Sequence, residues 1–183
     1  MLFRSVSQSR YVFIITANSG YNGYDRDIFL FNGNVVYYLW NNTANTLQTS
    51  GVNYSDGNWH HVAVSTGTGG TFLYVDGNLM QSNSALTATT FTSSTQITVG
   101  RSAAANAYTG TTFASAEIDE LRIWNLVRSQ GEINRSRFCS FNSVQSGLMA
   151  NYNFNQGVNS RSNSSTNIAF TSPLNTTYNG SVF

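Results

Sequence analysis

Lysine is absent from the 183 residues, so all nine basic side chains are arginine. A Gly-rich phosphate loop that needs a lysine is therefore excluded. Cysteine occurs once, as Cys139, which rules out an internal disulfide and a thiolate metal cluster and leaves a partly buried free thiol as the expectation. Proline also occurs once, at Pro173, and no apolar run approaches the roughly 20 residues that span a bilayer. Near the N-terminus the only apolar run is residues 12–15, shorter than the core of a signal peptide. Charged residues make up 9% of the chain and the net charge is +1, so neither a nucleic-acid footprint nor membrane insertion is expected. The two histidines, His60 and His61, are adjacent and would point to opposite faces of a strand, so they cannot jointly hold a metal, and with no other His in the chain neither zinc nor a Ser-His-Asp triad is expected.

Small polar residues fill the space that charge leaves. Ser (24), Thr (20) and Asn (23) together supply 67 positions, alongside 15 Gly, 12 Phe and 10 Tyr. The mixture suits aromatic and β-branched strands joined by tight polar turns. Candidate strands run over residues 11–16, 28–31, 35–40, 59–65, 71–76 and 96–99, with a polar loop over 83–94. Asn32-Gly33-Asn34 and Asp76-Gly77 read as hairpin turns, because these residues accept positive φ cheaply. A further strand over 117–124 would be apolar on both faces, Ile118 and Trp124 on one and Leu121 and Ile123 on the other, as in a sheet overlaid by a helix. Ser129 and Glu132 form a capping box, so one short helix follows, with Ile133 to Phe138 as its two turns. Strand-like runs return at 149–154 and 168–170. Six glycosylation sequons are present, no more than the composition produces by chance.

Asp56-Gly57-Asn58-Trp59-His60-His61-Val62-Ala63-Val64 followed by Phe72-Leu73-Tyr74-Val75-Asp76-Gly77 resembles the central hairpin of laminin G-like domains. Ile97-Thr98-Val99-Gly100-Arg101 resembles that family's next strand, and Ile118-Asp119-Glu120-Leu121-Arg122-Ile123-Trp124-Asn125 its closing strand. The four pieces keep family order over about two thirds of the chain. The resemblance implies a concanavalin A-like, all-β fold: a two-sheet antiparallel jelly-roll sandwich with one short helix. It places Trp59 and Trp124 in the core. The family's opening strand has no counterpart before Tyr11; Gly147-Leu148-Met149-Ala150-Asn151-Tyr152-Asn153-Phe154 resembles it but follows the closing strand, as in a permuted or truncated member. The expected organisation is a sandwich over residues 1–147 and a C-terminal segment, 148–183, that completes its own or a neighbouring sandwich.

Glucanase chemistry on such a fold needs carboxylates at i, i+2 and i+4 of one strand, because alternate side chains share a face. Glu117 and Asp119 meet the first two positions, but Leu121 occupies the third, so no catalytic residues are expected. Calcium is the one cofactor the resemblance suggests, and oxygen donors for it would be Asp119 and Asn179, or Asp25 and Asp27 in the first loop. The competing structural reading is that Asp119 caps a loop amide. Exposed aromatics near turns, Tyr21, Tyr24 and Trp40, are the candidates for stacking on a glycan.

Two functions follow as expectations. In the first, the chain is a non-catalytic extracellular or cell-surface protomer that self-assembles by strand exchange into a homo-oligomer or filament, with Leu148, Tyr152 and Phe154 on the exchanged strand. In the second, it is a calcium-assisted carbohydrate-binding module of a larger secreted protein.

Overall fold

The computed structural model describes residues 1–6, 11–18, 26–40, 44–87, 95–100, 115–141, 143 and 145–154, with the backbone alone at 11–18, 40 and 95–98. Twelve strands and one helix follow in chain order: β1 (Leu2–Arg4), β2 (Tyr11–Asn18), β3 (Arg26–Phe31), β4 (Asn34–Trp40), β5 (Ala44–Gln48), β6 (His60–Gly67), β7 (Gly70–Val75), β8 (Asn78–Asn83), β9 (Thr95–Val99), β10 (Glu117–Asp119), β11 (Leu121–Trp124), α1 (Gln130–Ser136) and β12 (Leu148–Tyr152). Two five-stranded sheets, β10-β1-β6-β7-β8 and β5-β4-β3-β2-β9, are antiparallel throughout, and β11 pairs with β12.

Period-2 alternation makes this a sandwich. Phe3, Val62, Val64, Leu73 and Val75 of one sheet and Ile28, Leu30, Val35, Tyr37 and Leu39 of the other enter one core cluster, together with Leu121 and Ile123. Their alternates face outward, where Ala63 and Tyr74 pack under Ile133 of α1. The expected sheet overlaid by a helix is therefore present.

Both predicted hairpin turns form. Asn32 and Gly33 take φ of 50° and 78°, and Asp76 and Gly77 take 51° and 79°, the doubly positive pattern of a two-residue turn. The α1 cap also forms: the Ser129 side chain accepts from the Glu132 N–H, and the Glu132 carboxylate accepts from the Ser129 N–H at 2.8 Å. Three residues of α1 and its end then clamp the 76–77 turn. Gln130 and Asn134 donate to the Gly77 carbonyl at 2.9 and 3.1 Å, and Arg137 donates to the Asp76 carbonyl.

Several expectations change. The run 117–124 is two strands, broken where Glu120 adopts φ +48°. The break shifts the alternation, so Ile118 packs against the same core as Leu121 and Ile123 while Trp124 faces the other way. A strand also precedes Tyr11: β1 lies between β6 and β10, with Phe3 wholly buried.

Residues 148–154 lie beside the closing strand. Leu121 pairs with Tyr152, Ile123 with Ala150 and Trp124 with Leu148, all within one chain. Tyr152 and Phe154 pack against the chain's own core, their ring centroids 6.2 Å apart. β12 thus pairs with β11 of its own chain. The run 168–170 lies outside the described residues.

Candidate ligand-binding site

The approach to β6 carries the densest polar geometry in the described chain. Asp56 accepts from the Asn58 backbone N–H and from the Asn58 side-chain amide, both at 2.8 Å, which closes a tight turn around Gly57 at φ +83°. The Gly57 N–H donates to the Ser5 carbonyl at 2.9 Å, tying the turn to the end of β1. His60 then bridges the turn and the hairpin: its Nε2 lies 3.0 Å from Asp56 Oδ1 and its Nδ1 lies 2.8 Å from Asp76 Oδ2. Asp76 uses its other oxygen to accept from the His61 backbone N–H at 2.8 Å. Tyr54 meets the His60 ring edge-on at 5.1 Å.

This lattice shifts proton affinities in physically separable ways. Burial alone would lower the His60 pKa, but the hydrogen bonds to Asp76 and Asp56 outweigh it and the net shift is upward. Asp56 falls to about 2, chiefly because it accepts from the Asn58 backbone, then from the Asn58 side chain and His60. His61, one residue on, is buried beneath α1, and burial first, then nearby cations including Arg122 and Arg137, pushes it down to about 2. The two histidines do point apart, as strand geometry requires.

Held by this turn, Trp59 projects outward. It retains 41% of its exposure, which overturns the expectation that it is a core residue. β6 begins at His60, so Trp59 stands just outside the pleat. The Arg4 guanidinium lies 5.3 Å from the Trp59 ring centroid and is itself fixed by Glu117, which accepts from it at 2.6 and 2.7 Å. Val6, 80% exposed, sits beside Gly57. Trp59, Arg4 and Glu117, with Asp56 and Asn58 on the adjoining turn, form a fixed aromatic platform with a polar rim. The sequence signal for it was the polar Asp-Gly-Asn directly before the tryptophan.

The other expected residues are dispersed. Tyr21, Tyr24, Asp25 and Asn179 lie outside the described residues. Trp40 ends β4 opposite Ala44, and its ring also lies outside the described atoms. Asp27 is not in a loop: it lies within β3 between Ile15 and Tyr38, fully buried. Asp119 Oδ1 accepts from the Glu120 N–H at 2.8 Å, the capping role weighed against a calcium role. Among the described residues no three His, Cys, Asp or Glu gather where a cation could sit.

The glucanase pattern is engaged elsewhere too. Glu117 pairs with Arg4, while Glu120 is buried, accepting from Arg122 at 2.6 Å and from Ser140 at 2.8 Å. Trp124 is buried at 5% exposure with Arg128 4.2 Å over its ring, in keeping with its expected core position. Cys139, expected to be partly buried, is exposed, with its thiol donating to the Arg135 carbonyl at 3.2 Å.

One solved structure with similarity is the receptor-binding domain of botulinum neurotoxin mosaic serotype C/D, at 20% identity and a TM-score of 0.36, covering 45% of this chain and 22% of that one. This chain thus spans less than a quarter of that domain's length. No curated protein matches the chain. A laminin G family model, described as the concanavalin A-like lectin/glucanases superfamily, matches residues 2–134. That match takes in both sheets, the Trp59 turn and most of α1, and the chain belongs to the concanavalin A-like lectin/glucanases superfamily.

Proposed function

We propose that the chain is a non-catalytic carbohydrate-binding module acting outside the cell, with Trp59 as the surface on which a sugar ring rests. The observation that carries this reading is the exposed indole of Trp59 beside the Arg4 guanidinium, next to a turn closed by Asp56 and Asn58. A sugar presents a face of C–H groups to an aromatic ring and hydroxyls to its rim. Trp59 offers the first, and Asp56, Asn58 and Glu117 offer acceptors and donors for the second. Rigidity matters because little side-chain entropy is then lost on binding.

Hydrolysis is not part of the proposal, because Glu117 is tied to Arg4 and the third carboxylate is Leu121. Calcium is not part of the proposal, which rests on the indole face of Trp59. Fibre formation by strand exchange would need β12 free, and its pairing with β11 argues for a self-contained module.

The test is a glycan array probed with the wild-type chain and with Trp59→Ala, each with and without a calcium chelator. The expected result is at least a tenfold loss of binding in Trp59→Ala, an unchanged melting temperature, and no effect of chelation. Wild-type binding by Trp59→Ala overturns the platform. Release of reducing sugar, abolished by Glu117→Gln, overturns the non-catalytic reading.

A further inference from the structure

A second concavity, away from the Trp59 platform, lies between α1 and the segment that returns from it to β12. It is an open depression of about 370 Å³ lined by Trp124, Arg128, Glu132, Arg135, Phe141 and Ser146. Cys139 also opens onto it.

At its back Trp124 and Phe141 meet edge to face at 5.9 Å and 87°, the buried Trp124 under Arg128 and the half-buried Phe141 with the Arg122 guanidinium 4.4 Å over one face of its ring. Its front is cationic. Glu132 is fully committed, accepting from the Ser129 N–H and hydroxyl at 2.8 and 2.7 Å and pairing with Arg128 at 3.2 Å. These contacts, the Ser129 backbone hydrogen bond foremost, also hold its pKa below the ordinary carboxylate value. Arg128 is further restrained by lying over Trp124. Arg135 is the remaining charge on this wall, exposed, and it forms no ion pair among the described residues. Two guanidinium groups against one carboxylate leave the cleft one positive charge in excess.

We infer that this cleft binds a carboxylate-bearing sugar, a hexuronate unit, with Arg135 receiving the carboxylate and the Phe141 side of the cleft receiving the ring. A guanidinium presents paired N–H donors in the geometry a planar carboxylate accepts, and such pairs are the stronger hydrogen bonds. A bare inorganic anion would leave the aromatic wall unused, and a neutral sugar would leave the charge unused. A uronate uses both. The inference does not depend on the Trp59 reading, since no residue is shared between the two sites.

The experiment titrates trigalacturonate, and a neutral galactose trisaccharide as control, into the wild-type chain, Arg135→Gln, Arg135→Lys and Trp59→Ala by calorimetry. Alkylation of Cys139 by iodoacetamide serves as a second readout, because that thiol borders the cleft and is the sole cysteine. Expected are at least tenfold tighter binding of the uronate than of the neutral sugar, loss of that preference in Arg135→Gln with partial recovery in Arg135→Lys, and uronate-dependent slowing of Cys139 alkylation by threefold or more. Equal affinity for the two sugars, or a preference that survives Arg135→Gln, overturns the inference. Uronate binding abolished by Trp59→Ala but not by Arg135→Gln also overturns it while leaving the platform standing. Failure of neutral glycans everywhere, with the Arg135-dependent preference intact, removes the platform and leaves the cleft.

Discussion

His60 and His61 are consecutive on β6, and the protein shifts their proton affinities in opposite directions. For His61 the folded value of about 2 lies far below the ordinary 6.5, so its stabilising contribution is complete above pH 6.5 and is lost as pH falls. Each pH unit below 6.5 removes up to about 1.4 kcal/mol until the folded value is reached. For His60 the folded value is raised, so its contribution is complete below pH 6.5 and is lost as pH rises through the folded value. Asp56, lowered to about 2, adds a further loss once pH drops below about 4. Urea midpoints across pH 3–8 should fall on the acid side, and His61→Leu should flatten the limb between pH 6.5 and 4 while His60→Gln leaves it intact. An acid limb unchanged in His61→Leu would place the titrating group elsewhere.

Gly77 should tolerate no side chain. Its φ is +79°, and a methyl group there would collide with the Asn134 and Arg137 side chains that hold the turn. Gly51, at φ +78° with open space around it, incurs the backbone penalty alone. Gly51→Ala is expected to cost about 1 kcal/mol and Gly77→Ala about 2–4 kcal/mol, the excess reflecting lost α1 contacts. Equal midpoint shifts in the two variants would show that α1 does not clamp the hairpin.

The two tryptophans should separate cleanly by thermal unfolding. Trp124 is buried and its replacement by alanine is expected to cost about 3–5 kcal/mol. Trp59→Ala should stay within about 1 kcal/mol of wild type, because much of the ring is already in water. A large destabilisation by Trp59→Ala would return that residue to the core.

Glu120 and Arg122 form a buried ion pair at 2.6 Å, and Arg122 also donates to the carbonyls of Ser136 and Cys139. Removing only the carboxylate leaves the guanidinium buried without its counter-charge, a loss of about 3–5 kcal/mol for Glu120→Ala. A double-mutant cycle with Arg122→Met should show strong coupling, the pair of changes costing less than the sum of the two singles. Additivity would mean that the carbonyl contacts, not the ion pair, hold the segment after α1.

Much of this architecture was written locally. Ser129 and Glu132 specify the helix start through their own backbone, and Asn32-Gly33 and Asp76-Gly77 specify turns through their own φ preferences, so a short window suffices. The strand over 60–67 was legible from its β-branched alternation, but its first residue was not. A one-residue shift at the start of β6 moved Trp59 from core to surface. Glu120 hid a break, because glutamate seldom adopts the left-handed backbone and one partner of its carboxylate, Ser140, lies twenty residues on. β1 was invisible for the same reason: Leu2–Arg4 is too short to carry a period, and both of its partners lie far along the chain. The Arg4–Trp59 contact, and with it the platform, depended on that strand.

The seating of β1 also sets an order of events during synthesis. Phe3 is held between His60 on one side and Ile118 on the other. As the chain leaves the ribosome, the hairpin of β6 and β7 is available before β10, so β1 waits with one edge open. Contacts this distant in sequence close slowly and leave unpaired backbone exposed in the interval. Three residues is a short edge to leave waiting, and two of them, Leu2 and Phe3, are apolar. The edge of the sheet beside Trp59 therefore stays open until β10 has emerged, and a pause in translation before residue 118 should favour misassembly there.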